Sequence, residues 1–303
     1  MTTEIRNDEV GLFLARELET ILARTFEVEY ADIKYSMVIP VSSEVGNGAD
    51  SYTYRVFDKQ GSMKVIGDKA KDLPRADVLR KEITHPVRSV GSSFAYTVQE
   101  TRAAAMVPGM NLEQRRANAV RRAYEEKVES IAMFGDTSVS LTGFFNNSTV
   151  DVYTADKWFT DSGTTSQEML DLLNYGVSAI VNGSRMVEQP DTILMAYEDY
   201  NVIATQRNSD SSDVTVLEYF LRTNPFIRNI EPINQLDADN SGLITNRMVV
   251  YKRDPEKLQL HIPQPLELFP PQQRGLEFIV PAHARVGGVS IYYPKSVIYV
   301  QAT

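Results

Sequence analysis

The sequence predicts an α+β protein, with helices in its middle and strands toward both ends. Three observations carry this. Residues 111–134 place Val120, Tyr124, Val128, Ile131 and Met133–Phe134 on one apolar stripe at helical spacing. Residues 50–67 alternate apolar and polar groups at strand spacing, and from Arg247 onward short apolar runs are punctuated by prolines.

Taken in order, residues 8–25 (DEVGLFLARELETILART) set Val10, Leu14, Leu18, Ile21 and Leu22 three or four apart. That spacing predicts an amphipathic helix, with acidic residues in the first turn as the helix dipole prefers. Pro40 breaks the mixed stretch that follows. In 50–67, Tyr52, Tyr54 and Val56 alternate with Thr53, Arg55 and Phe57. Asp58-Lys59-Gln60-Gly61 is read as the turn and Ser62–Ile66 as the returning strand. Both faces of this hairpin carry apolar groups, and a lone hairpin is marginal in water, so it must lean on something. Extended LRKEITHPVRSVGSSFAYTVQE leads to the strongest helix, where Asn111 is the expected N-cap, Gln114 completes a capping box, and Gly135 terminates. Roughly 24 residues make a rod about 36 Å long. Arg115, Arg116, Arg121 and Arg122 crowd its first half, with Glu125, Glu126 and Glu129 behind. That order opposes the dipole and calls for neutralising partners elsewhere; a solvated face and an intersubunit contact both remain open.

Beyond Asn147, SQEMLDLLNYGVSAIVNGSR, EDYNVIAT and VTVLEYFLRTNP read as helices and PDTILMA as a strand. RMVVYKRD, KLQLHIP, LELFP, GLEFIVPAHAR, GVSIYY and SVIYVQA read as strands.

With 303 residues, 43% hydrophobic and 23% charged, the chain can bury a large core. Its 31 basic and 40 acidic residues leave a formal charge of −9, which argues against non-specific DNA binding by the whole surface. Cysteine is absent, which rules out disulfides, thiolate metal sites and a cysteine nucleophile, and fits a reducing cytoplasm. The N-terminus is too polar for a secretory signal, and no apolar run approaches the ~20 residues of a membrane span.

The chemistry of sites is thin. In LDADNSGLIT, Asp237, Asp239, Ser241 and Gly242 match the first half of a calcium loop, but its twelfth position, a bidentate Glu in such loops, is Met248. A structural turn is the reading. His85, His261 and His283 are far apart in sequence, none at metal-ligand spacing, and are read as structural. No phosphate-cradling loop, dinucleotide fingerprint or nucleophile elbow occurs. No catalytic residue, cofactor or metal is therefore expected, and the chain is read as a non-enzyme.

Taken together, SYTYRVFDKQGSMKVI, DLPRADV, YTVQETRAA, LEQRRANAVRRAYEEKVESIAMFGD, LTGFFNN and RGLEFIVPAHARVGGVSIYYPKSV resemble, in this order, tailed-bacteriophage major capsid proteins of the Hong Kong 97-like fold. Encapsulin shell proteins share that fold. The resemblance implies an N-terminal arm (1–40), an extended hairpin loop (41–85) lying over a neighbouring subunit, and a peripheral domain with a spine helix (86–149). It further implies an axial domain (150–245) and a β-rich return (246–303). On this basis Tyr54, Phe57, Asp58 and Lys59 of the hairpin, and Arg115, Arg116 and Arg122 of the helix, are the expected intersubunit contacts. The implied function is an icosahedral shell of pentamers and hexamers around double-stranded DNA held without specific binding, within the virion and assembled in the host cytoplasm. Scaffold, portal and decoration proteins are the implied partners, with no membrane. The alternative is an encapsulin-type compartment around a cargo enzyme.

Overall fold

In the computed structural model, the described residues are 31–64, 75, 77–106, 112–209, 213–238 and 243–303. The helix expected over 8–25 and the N-cap Asn111 lie outside them. A short helix, α1 (Tyr35–Val38), and a short strand, β1 (Val41–Ser42), come first. Strands β2 (Ser51–Gln60) and β3 (Asp77–Pro86) then pair antiparallel over their whole length, from Ser51↔Pro86 to Gln60↔Asp77. After buried Val87 the chain continues into β4 (Arg88–Thr97), helix α2 (Val98–Ala105) and the 23-residue helix α3 (Leu112–Phe134).

The hairpin corrects the sequence reading. Asp58, Lys59 and Gln60 are strand, not turn, and β2 pairs with 77–86; of the expected return strand Ser62–Ile66, residues 65 and 66 lie outside the described residues. Ten cross-strand pairs form in this register, far more than a tight turn at Asp58 would have allowed. The extended stretch also ends earlier than expected. Thr97 and Glu100 form a reciprocal capping box, so Val98 onward is helical.

Strands β5 (Gly135–Asp136) and β6 (Leu141–Thr142) make a small ladder, followed by β7 (Asp151–Ala155) and helix α4 (Ser166–Gly183). Strand β8 (Thr192–Met195), helices α5 (Tyr197–Thr205) and α6 (Val216–Thr223), and β9 (Asn229–Pro232) complete the middle of the chain. The last third is β: β10 (Arg247–Tyr251), β11 (Leu258–His261), β12 (Gln264–Leu268), β13 (Gln272–Arg274), β14 (Glu277–Val286), β15 (Val289–Ile291) and β16 (Val297–Ala302). The α+β reading holds.

One sheet, in the order β7-β16-β10-β8-β9, is the wall between two hydrophobic cores. Successive side chains of a strand point to opposite faces. Met248, Val250, Ile298, Val300, Ile193 and Met195 accordingly face a core filled by α4, α5 and α6. Val249, Tyr251, Val297, Tyr299 and Leu194 face the other core, shared with α3, Phe144 and Phe145. Burial on both sides explains why these strands read as unbroken apolar runs instead of alternating ones. Met248, the twelfth position of the calcium-like loop, is fully buried in that wall and offers no ligand.

Residues 77–97 are nearly one continuous extended run whose partner changes at Val87. The Val87 N–H donates to Asp50 O at 2.9 Å, on the β2 side, whereas Val98 N–H reaches Leu276 O at 3.1 Å, extending the β4–β14 ladder. The hairpin therefore grows directly out of the sheet containing β12, β13, β14 and β4.

Candidate assembly surface

The hairpin's two faces follow from its register. Thr53, Arg55, Phe57 and Lys59 share one face with Thr84, Glu82, Arg80 and Val78. Tyr52, Tyr54, Val56 and Asp58 share the other with His85, Ile83, Lys81 and Leu79. On the first face Glu82 accepts from Arg55 at 2.9 Å and also from Arg80, and these two guanidiniums hold its carboxyl below the usual range. Away from the root, apolar groups stay in water: Phe57 is 58% exposed, Val78 54% and Leu79 51%. Asp58 and Lys59 are exposed beside them.

Tyr54, one of the expected intersubunit contacts, also has ring partners within its own subunit. It stacks on His85 (centroids 5.8 Å apart) and meets Tyr292 edge-on at 4.9 Å, so its ring is engaged within its own subunit. Tyr52 goes further into the body. Its ring lies against His85 and, at 4.3 Å, His261, while its hydroxyl is 2.6 Å from Ser290 Oγ. Sequence reading kept the histidines apart; β3 and β11 bring His85 and His261 to one tyrosine.

The spine arginines divide. Arg116 donates to Glu100 at 2.9 Å and to the carbonyl of Ala95, tying α3 to the α2 cap and to β4. Arg116, with help from the Thr97 amide, pulls the Glu100 carboxyl down to about 2. Arg122 pairs one turn on with Glu126 at 2.7 Å. Arg115 and Arg121 are exposed. Behind them, Glu125 accepts from the Tyr35 hydroxyl at 2.8 Å and Glu129 from the Lys34 amide at 2.9 Å, so the acidic half of α3 anchors α1.

The far end of α3 explains the Gly-Asp turn and the Gly-aromatic stretch after it. A helix leaves its last carbonyls without partners. Phe144 N–H donates to Ala132 O (2.9 Å), Phe145 N–H to Met133 O (2.8 Å), and Asn146 Nδ2 to Phe134 O (2.7 Å). The returning chain is thus the helix's C-terminal cap. Phe144 and Phe145 are meanwhile fully buried in the core between helix and sheet.

Among the described residues no group of three or more His, Cys, Asp or Glu could hold a metal, and no helix is long and apolar enough to cross a membrane.

This architecture is that of the Hong Kong 97-like shell proteins: a long hairpin, a spine helix on an extended sheet, and a second core behind a shared wall. The model of the family described as "Major capsid protein" matches residues 61–302, and the chain belongs to that family. No curated protein matches it significantly by sequence. Among solved structures, the capsid of Myoviridae phage XM1 is similar at TM-score 0.85 and 20% identity, over 97% of this chain and 100% of that one. A structure of Mycobacterium phage Ogopogo matches at TM-score 0.63 and 13% identity, over 94% and 96%. A virus-like particle from Pyrococcus furiosus matches at TM-score 0.53 and 13% identity, over 88% and 91%. The chain is a structural protein of a multimeric shell, and the shell places it in the virion.

Proposed function

We propose that this chain builds an icosahedral shell of pentamers and hexamers that encloses double-stranded DNA, and that it acts structurally, without catalysis. The observation that carries this reading is the hairpin. Phe57, Val78 and Leu79 are exposed on a strand pair that, among the described residues, is covered only at its root. Apolar groups displayed on such a projecting element mark a surface meant for another chain. Phe57, Asp58 and Lys59 are then contacts to a neighbouring subunit, and Arg115 is the spine arginine most available for one. Tyr54, Arg116 and Arg122 serve the subunit's own fold first.

In this reading residues 150–245 form the axial domain around the symmetry axes, and 86–149 with the returning strands form the peripheral domain. The net charge of −9 suits a wall that does not grip packed DNA. Assembly in the host cytoplasm, with separate scaffold, portal and decoration proteins, belongs to the same proposal. Negative-stain electron microscopy of the concentrated protein across a range of salt tests it. Closed shells or rings of five and six are expected. Large shells holding DNA support the phage reading, whereas small shells holding protein would replace it with an encapsulin-type compartment. Compact monomers under every condition, with and without candidate scaffold proteins, would overturn both.

A further inference from the structure

The sequence holds two Asn-Gly pairs, Asn47-Gly48 and Asn182-Gly183, and the fold treats them differently. Asn182-Gly183 closes α4, where the Gly183 N–H is bonded to the carbonyl four residues back. Asn47-Gly48 forms the exposed middle of a turn between β1 and β2, closed by the Ala49 N–H on Gly46 O at 3.0 Å. Among the described residues neither the Gly48 N–H nor the Asn47 side-chain amide has a hydrogen-bond partner. A Cβ at Gly48 would meet nothing within 4 Å, so that side of the turn is open.

The carbonyl between Asn47 and Gly48 is held by a cation. Arg285, on β14, donates from Nη1 to Asn47 O at 2.6 Å and from Nη2 to Asp50 Oδ1 at 2.8 Å. Its side chain is only 13% exposed, so the guanidinium is fixed in place while Asn47 and Gly48 face water. Asn47 O belongs to the same peptide unit as the Gly48 nitrogen. When that nitrogen gives up its proton, the negative charge spreads by resonance onto this oxygen. A fixed guanidinium hydrogen-bonded to the oxygen stabilises the anion, as donors aimed at a developing oxyanion do. The nucleophile for closing a ring on the asparagine side chain is thus favoured at Asn47 and withheld at Asn182.

We propose that Asn47 is a self-modification site, at which the Gly48 nitrogen attacks the Asn47 side-chain amide and Arg285 promotes the attack. The Gly48 N–H proton passes to solvent and the nitrogen forms a bond to Asn47 Cγ. The Cγ–Nδ2 bond then breaks, and Nδ2 takes a proton from water and leaves as ammonia. The resulting succinimide ring adds one water. Opening at Cγ leaves aspartate; opening at the Asn47 backbone carbonyl leaves isoaspartate, with the chain running through Cγ. Water is the only co-reactant. Either product sets a new carboxylate near Arg285, and isoaspartate also lengthens the segment joining β1 to β2 by one backbone carbon. The turn then carries a slow, irreversible record of the protein's age in water.

Incubation of the intact soluble subunit at neutral pH tests this, followed by peptide mass spectrometry that separates asparagine, aspartate and isoaspartate. Residue 47 should convert at least about tenfold faster than residue 182. Arg285→Lys keeps the charge but loses the two-pronged grip, and should slow conversion of residue 47 about tenfold. Gly48→Ala, whose Cβ meets open space, should keep the fold and suppress conversion, because the methyl group crowds the attacking nitrogen. Should the lysine variant not fold, urea supplies a second reading of the parent chain. Unfolding frees both pairs, so it should raise the rate at residue 182 and not at residue 47. Equal rates at the two pairs in the folded chain, an unchanged rate in folded Arg285→Lys, undiminished conversion in Gly48→Ala, or acceleration of residue 47 by urea would each overturn the proposal.

Discussion

The amide of Phe144 donates to the carbonyl of Ala132 over 2.9 Å, and that bond makes the chain after the spine helix part of the helix. Such closeness needs a backbone without side chains where the two strands of the turn cross. A Cβ on Gly143 would sit 2.3 Å from the carbonyl carbon of Phe134 and 2.4 Å from the amide nitrogen of Gly135. Gly135 itself has φ +74°, with Leu141 O only 2.4 Å from where its Cβ would be. These neighbours are backbone atoms and cannot step aside. Gly143→Ala is therefore expected to destabilise the subunit by more than about 4 kcal/mol. Gly46→Ala, which meets open space, should stay within about 0.5 kcal/mol. Chemical denaturation of the two variants checks both numbers, and equal midpoints would remove the cap from this account.

That turn was visible in the sequence as a glycine after a helical stripe, and α3 came within one residue of its expected start. Local period and punctuation are enough for such elements. The return strand of the hairpin was not legible. SMKVI alternates as a strand should, yet β2 pairs with DVLRKEITHP, because ten-residue register is decided by tertiary pairing and not by the nearest alternating run. The ring cluster at the hairpin root was illegible for a similar reason: only the fold brings His85 and His261 onto Tyr52. Of the seven expected contacts, Tyr54, Asp58, Arg116 and Arg122 already have intrasubunit partners. One-dimensional patterns show which residues are polar or aromatic, but not whether the chain itself uses them.

Asp199 carries the clearest pH dependence of the second core. It is fully buried in the first turn of α5, one helical turn before buried Ile203, and neither carboxylate oxygen has a hydrogen-bond partner. Burial pushes its carboxyl up to about 7 and Asp237, Glu198 and Asp161 push the same way; the Trp158 indole N–H, which makes no hydrogen bond of normal geometry to it, opposes them only in part. An aspartate raised in this way prefers the fold when protonated. Its unfavourable contribution is absent below the unfolded value near 3.8 and grows as pH rises to about 7. Asp199→Asn should therefore raise the melting temperature at pH 8, by a gain of at most roughly 4 kcal/mol, and change little at pH 4. Melting curves of parent and variant across that range decide the matter. Parallel curves would mean that Asp199 is ionised in a satisfied site.

Glu188 and Lys257 form the most buried ion pair described, 2.7 Å apart with side chains 7% and 17% exposed. Lys257 also lies 4.2 Å from the centre of the Tyr293 ring. Removing one partner strands the other charge, so Glu188→Gln should cost about 3 kcal/mol, the lower end for buried pairs because the ring still holds the ammonium. The double variant Glu188→Leu/Lys257→Met should recover most of that loss. A double-mutant cycle by urea denaturation measures the coupling, and additive losses would show that the pair does not act as a unit.

Assembly separates hairpin from spine. Phe57 stands opposite Arg80 in the β2–β3 register and beside Lys59 on the same face. An aspartate at position 57 meets water and nearby cations in the free subunit, so Phe57→Asp should leave the melting temperature within about 1 °C of the parent. In a shell the same carboxylate is pressed against a neighbour and loses its water, and closed particles should disappear from size-exclusion profiles and micrographs. Val120 is buried on α3, where proline removes a backbone bond and clashes with the preceding turn. Val120→Pro should therefore yield no folded subunit at all. If Phe57→Asp forms normal shells, the hairpin is not the assembly contact; if Val120→Pro folds and assembles, α3 is not the rod that holds the subunit together.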